Sequence, residues 1–179
     1  GANWAPLVST RTQPRASAAA SAAVAIRAAA ASWESRCAIL STVASLGNKN
    51  TFVDIKYLNL SGGSEAVING VYFSGALALH SHKFVNIINS RISNNFADDG
   101  VNIKDSEVFL KDNYFVFNFS DQIDLDNCEG SVINNSFVYR VNKNFENNNG
   151  DGLDLSYSKV LAKENIFSGF LDKAISVGE

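Results

Sequence analysis

Short segments in which small or polar, apolar, polar, apolar and polar positions alternate recur along the second half of the chain. Ala76-Leu-Ala-Leu-His80, Gly100-Val-Asn-Ile-Lys104, Gln122-Ile-Asp-Leu-Asp126, Gly152-Leu-Asp-Leu-Ser156 and Ala174-Ile-Ser-Val-Gly178 share it, with starts 24, 22, 30 and 22 residues apart. This period-two alternation predicts strands with one buried face. A second motif follows each of three copies: Val108-Phe-Leu-Lys-Asp-Asn113-Tyr-Phe115, Gly130-Ser-Val-Ile-Asn-Asn135-Ser-Phe137 and Val160-Leu-Ala-Lys-Glu-Asn165-Ile-Phe167. Val85-Asn-Ile-Ile-Asn-Ser90-Arg-Ile92 is a looser relative.

A unit of this length is too short for a strand-helix-strand crossover, and no helical period intervenes. Short strands separated by Asn, Asp and Gly turns, repeating in register, stack into a parallel β-solenoid with about 4.8 Å between coils. Equivalent positions then form columns. Leu77, Val101, Ile123, Leu153 and Ile175 make one interior column, and Leu79, Ile103, Leu125, Leu155 and Val177 the next. Phe115, Phe137 and Phe167 are expected to stack, and Asn113, Asn135 and Asn165 to form an amide ladder. The predicted fold class is all-β: a parallel β-helix (solenoid) of about five coils over residues 51–179.

Residues 1–50 are of another kind. Eleven of the sixteen residues from Ala16 to Ala31 are Ala, which favours helix, and Pro14 suits a helix start. Trp33, Cys37, Leu40 and Ala44 follow helical spacing, and Gly47 is a stop signal. The expected reading is an N-terminal Ala-rich helical cap on the solenoid. An Arg- and Ala-rich leader poor in acids, or an engineered low-complexity stretch, are the rival readings. The chain lacks Met and starts at Gly1, as expected of a processed or partial chain.

Charge sharpens the division. Residues 1–50 carry five basic residues and Glu34, whereas 51–179 carry ten basic and seventeen acidic ones, for a total of −3. That balance gives no argument for nucleic-acid binding. Two cysteines, Cys37 and Cys128, make no disulfide framework, and no apolar run has the length of a membrane span.

Leu58-Asn-Leu-Ser-Gly-Gly63, Ile68-Asn-Gly70, Asp98-Asp-Gly100, Ile123-Asp-Leu-Asp126, Gly150-Asp-Gly-Leu-Asp-Leu155 and Ile175-Ser-Val-Gly178 resemble the right-handed parallel β-helix family, the fold of pectate-lyase-like proteins. The likeness is greatest to β-helix segments of secreted bacterial proteins that can also carry a CotH-like kinase domain. It covers residues 51–179 and implies an extracellular or cell-surface module. No kinase motif is present. Pectate-lyase-type members use acidic calcium ligands with an Arg base, and polygalacturonase-like members use three Asp with Gly-His-Gly and Arg-Ile-Lys motifs. Asp98-Asp99-Gly100 is similar to the paired Asp of the latter, but both other motifs are absent and no Arg lies near Asp124.

Residues between the interior columns point outward and stack too. Ala78, Asn102, Asp124, Asp154 and Ser176 form one outer column, and His80, Lys104, Asp126, Ser156 and Gly178 the next. The candidate binding face is therefore Asn102, Lys104, Asp124, Asp126, Asp154 and His80, with Asp99, Asp121 and Asp151 in a turn column beside it. Carboxylates one coil apart repel and either hold a proton or recruit a cation. Hard oxygen ligands suit Ca²⁺ at Asp124, Asp126 and Asp154, with Lys104 or His80 as base. The competing reading is solvated Asp on an exposed sheet, with His80 and His82 as surface residues. Cys128 shares a column with His82, Ser106 and Ser158 and reads as a small turn residue. The long unit places an insertion at 140–149, expected to be a surface loop or part of a binding surface.

Two function classes follow. One is a non-catalytic extracellular module for display, adhesion, carbohydrate contact or assembly, whose open C-terminal coil can receive another protein chain. The other is a calcium-dependent polysaccharide lyase or hydrolase using the outer Asp face. A third is a filament subunit stacking end to end.

Overall fold

A computed structural model of the chain describes residues 24–28, 41–139, 150–170 and 172–178. Those residues are all-β, built largely from parallel sheets, with no helix among them. The first sheet contains β1 (Val24–Ala28), β2 (Ser41–Leu46), β7 (Gly75–His80), β10 (Asp99–Lys104), β13 (Asp121–Asp126), β16 (Leu153–Ser156) and β19 (Ile175–Gly178), in that order. The second runs β3 (Phe52–Lys56), β8 (Phe84–Ile88), β11 (Glu107–Lys111), β14 (Glu129–Ile133) and β17 (Lys159–Lys163). The third runs β4 (Asn59–Ser61), β9 (Arg91–Ser93), β12 (Tyr114–Val116), β15 (Ser136–Val138) and β18 (Ile166–Ser168). From β7 the chain visits first, second and third sheet in turn, so each round adds one parallel strand to each. A separate antiparallel hairpin, β5 (Ala66–Ile68) with β6 (Val71–Phe73), interrupts an early round.

Register follows the repeat. Val101 pairs with Leu77 and Ile123, and Ile123 with Leu153. These four are fully buried in one hydrophobic cluster with Leu79, Ile103 and Leu125. Phe115 and Phe137 stack with centroids 5.2 Å apart, and Phe137 and Phe167 at 4.6 Å with rings 8° from parallel. A one-residue slip would turn every such side chain outward, so burial of one face locks the register.

The bends between sheets explain the recurrent Asn and Asp. A single residue in the left-handed conformation turns the chain at Ser81, Asp105, Asn127 and Tyr157 in the first corner, and at Tyr57, Asn89, Asp112, Asn134 and Glu164 in the second. Gly62, Asn94, Phe117 and Gly169 do the same in the third. Asn and Asp tolerate this conformation better than other side chains, and Gly adopts it freely.

The helical cap is overturned where its segment is described. Val24–Ala28 and Ser41–Leu46 are antiparallel strands, and Ala44 sits in the second of them. Helix propensity differs by less than about 1 kcal/mol per residue, and β2 gains a parallel ladder to β7 together with burial of Thr42, Ala44 and Ser45. The Thr42 hydroxyl donates to the Gly75 carbonyl at 2.9 Å. Most of the Ala-rich run, with Trp33, Cys37 and Leu40, lies outside the described residues, as does the 140–149 insertion.

Candidate functional site

The predicted face does assemble on the outer side of the first sheet. Asn102 pairs in register with Ala78 and Asp124, Asp124 with Asp154, and Lys104 with His80 and Asp126. Its two ends have different surroundings, however.

At β7 the face is covered. Phe73, from the hairpin, packs with Ala44 and Ala78, and its ring stacks on His80 at 4.9 Å. His80 is 6% exposed, His82 1% and Asn102 0%. The expectation of two solvated histidines is therefore corrected: the hairpin buries one, and the first corner buries the other. The His82 Nδ1 atom lies 2.7 Å from the Thr51 hydroxyl and its Nε2 3.2 Å from the Ser45 carbonyl. Burial pulls both imidazoles below their usual range.

The polar groups satisfy one another in a line across successive strands. His80 Nε2 lies 2.7 Å from Asn102 Oδ1, and the Asn102 amide donates to Asp124 Oδ2 at 2.7 Å. An Asn carbonyl can only accept, so His80 carries its proton on Nε2. Lys104 binds Asp126 at 2.6 Å. Burial pulls Lys104 down, yet the Asp126 hydrogen bond and charge outweigh it and leave the ammonium above its usual range.

The carboxylates of the turn column sit beside Asp124. Burial, followed by repulsion from Asp124, Asp121 and Asp98, pushes Asp99 to about 8, against a Ser74 hydrogen bond that opposes it. Burial and the charges of Asp151, Asp154 and Asp98 raise Asp121 to about 7, although the Asp151 N–H donates to it at 2.6 Å. Asp124 rises to about 7 through burial and the neighbouring Asp126, Asp154 and Asp121. Asp151 accepts from the Lys173 backbone N–H at 3.1 Å and lies 3.5 Å from its ammonium. The arrangement can hold protons near neutrality.

Among the described residues no three His, Cys, Asp or Glu side chains form a group able to hold a metal ion. Asp124, Asp126 and Asp154 share one face, but Asp126 is engaged by Lys104 and Asp124 by Asn102. An open groove of about 590 Å³ lies away from this face, at the first corner. Lys49, Lys83 and Lys159 line it opposite Asp105, Glu107 and Glu129, so its charges balance. Cys128 lines the first-corner column as expected. Burial pushes its thiol up to about 11, which leaves no thiolate for chemistry at neutral pH.

Gln122 escaped the sequence reading. Fully buried, its side-chain carbonyl accepts from the Asn118 amide at 3.0 Å and the Asn118 N–H at 3.2 Å, ending a ladder that runs through Asn95 and Asn118. Its only sequence signal is a long polar residue where Gly100 and Gly152 stand in neighbouring copies.

No helix among the described residues is long and apolar enough to cross a membrane. Comparison with protein-family models, curated proteins and solved structures finds no match to the chain.

Proposed function

We propose that the rounds of strands are coils of a right-handed parallel β-helix of the pectate-lyase-like kind. Its role is that of a rigid, non-catalytic module for display, adhesion, carbohydrate contact or assembly at the cell surface or outside the cell. Right-handedness follows the strong preference of parallel crossover connections. One observation carries the functional reading: the outer-face side chains are bonded to each other, in the line from His80 through Asn102 to Asp124 and in the Lys104–Asp126 pair. An active centre would aim such groups at a substrate position. The test is to incubate the chain with acidic and neutral polysaccharides, with and without calcium, and assay new reducing or unsaturated ends. No product is expected in any arm.

A polysaccharide-acting enzyme is the second reading, favoured by the raised Asp99, Asp121 and Asp124. A carboxyl that keeps its proton near neutrality beside other carboxylates is the usual form of a general acid. Calcium-dependent cleavage that disappears in Asp124→Asn would establish it in place of the first.

A further inference from the structure

The outer face of the second sheet carries a different chemistry from that of the first. Strand alternation and register set three outward columns there. The first runs from Phe52 and Phe84 to Glu107 and Glu129. The middle column is centred on Phe109, and the third alternates Ile88 and Ile133 with lysines, Lys111 among them. Phe52 is 62% exposed and Leu161, in the middle column, 57%. Phe84, Ile88, Phe109 and Ile133 are half-buried between their neighbours. The outward side of a sheet in water is ordinarily polar, and a contiguous group of six large apolar side chains marks a contact surface. Charges of opposite sign flank it, acids in the first column and lysines in the third. Glu107 has no ion pair among the described residues, and Lys111 reaches only Asp112, at 3.8 Å.

We propose that this lateral face joins two copies of the chain, related by a two-fold axis in the contact plane, parallel to the columns and over the middle one. Charge complementarity selects this occupant. Such an axis exchanges the two flanking columns at every height. Glu107 of each copy then meets Lys111 of the other, Phe84 meets Ile88, and Phe109 meets its own counterpart. An axis parallel to the strands would instead set Glu107 against Glu107 and Lys111 against Lys111, and like charges opposed across an interface repel. At the height of β17, Lys159 would face Lys163. Sheets packed face to face cross at about 30°, so contact is closest around β11 and that pair is held apart. Five strands about 4.8 Å apart and five residues of about 3.3 Å make a face of about 400 Å² per copy. That is the low end for a specific interface, so the copies exchange between monomer and dimer at micromolar concentration. The register of one sheet carries this inference. It goes beyond the function proposed above and does not depend on the handedness of the coils.

The test is sedimentation of the full chain across micromolar concentrations, where a reversible dimer is expected. Glu107→Lys and Lys111→Glu should each raise the dimer Kd about tenfold or more, because two opposed pairs turn repulsive at once. The chain carrying both changes restores the pairs with their signs exchanged, and should return to within about threefold of the original Kd. A second measurement reads the axis directly. Facing sheets lie about 10 Å apart. Ser131→Cys, in the middle column, should therefore link to its counterpart through a bis-maleimide of that length, in a Cys37→Ser background. Glu129→Cys, in a flanking column, should not. A chain that stays monomeric, a double variant no tighter than the single ones, or linkage at Glu129→Cys without linkage at Ser131→Cys would overturn the proposal. So would association that grows past the dimer into longer stacks. Failure of the non-catalytic reading is separate, since it would show as polysaccharide cleavage whatever the state of association.

Discussion

The two faces of the stacked rounds are built from one repeat and differ in what closes them. At the β2 side, an antiparallel β1 covers the edge of the first sheet, a hairpin buries its outer surface through Phe73, and the second-corner ladder begins at an apolar Leu58. At the β19 side, three parallel edges lie side by side, interior-type Ile175 and Val177 meet solvent, and the ladder stops at Asn165 with a donor still unmatched among the described residues. Directional ladders make a stack polar even when every round looks alike. Each backbone N–H of the second-corner ladder donates to a side chain of the round after it, so the ladder runs one way along the stack.

The sharpest test of this contrast compares the same deletion at two heights. Phe137→Ala opens a void between Phe115 and Phe167 and should cost about 3–5 kcal/mol in chemical denaturation. Phe167→Ala, on the half-exposed last round, should cost roughly half as much, since the site already borders solvent. Equal losses would mean that the two heights are packed alike.

The ladder gives the next effect. Asn135→Leu leaves the Asn113 N–H without its acceptor and removes amide bonds to Leu110, Ile133 and Asn165. A loss of about 2–3 kcal/mol is expected. Asn165→Leu should cost about 1–2 kcal/mol, because it removes the acceptor shared by the Asn135 N–H and amide and the donor to the Val132 carbonyl, but leaves no ladder donor of its own side unmatched among the described residues. A larger loss at Asn165 would reverse the polarity inferred here.

A smaller effect separates covered from open parts of the outer face by pH. The folded pKa of Asp124, about 7, lies above its ordinary value of 3.8. The native state therefore holds a proton that the unfolded chain releases, and Asp124 weakens folding as pH rises from about 4 to 7. Asp124→Asn keeps an acceptor for Asn102 and should raise stability by about 1 kcal/mol at pH 8, allowing for solvent screening of a half-buried group. The gain should vanish near pH 4, read as Tm against pH for both chains. His80 acts the other way, since its lowered pKa removes stability as pH falls through its usual value of 6.5. It is present in both chains and largely cancels in the difference.

The smallest effect concerns the corner bends. Phe117 and Tyr157 hold φ near 58° and 53°, where neighbouring rounds use Asn94, Gly169, Asp105 and Asn127. Phe117→Asn and Tyr157→Asn should each stabilise by about 0.5–1 kcal/mol through relief of left-handed strain. Destabilisation by either, in urea titrations, would mean that the ring contributes packing which outweighs the strain.

The face at Asn102, Lys104, Asp124, Asp126 and Asp154 was legible because strand period and repeat length together dictate which side chains stack. Its electrostatic character was not. The raised Asp99 and Asp121 depend on burial at a corner, and the bonded line from His80 to Asp124 depends on side-chain reach between strands. The hairpin was hidden for another reason: Ile68-Asn-Gly70 announces a turn, but nothing local says that Phe73 will fold back onto His80.

By itself, the sequence determined the strands of the repeated segments, their register and the interior columns, since a two-residue alternation repeated at near-constant spacing leaves one arrangement that buries every apolar face. It also marked the corners at Asn89, Asn94, Asp105, Asp112, Asn127 and Asn134, because few side chains tolerate a left-handed bend. Only the tertiary structure decided that Ser41–Leu46 is a strand, that both histidines are buried and that Gln122 ends a ladder. Those outcomes depend on which distant surface covers each segment, and burial, unlike alternation, is not a property of neighbours along the chain.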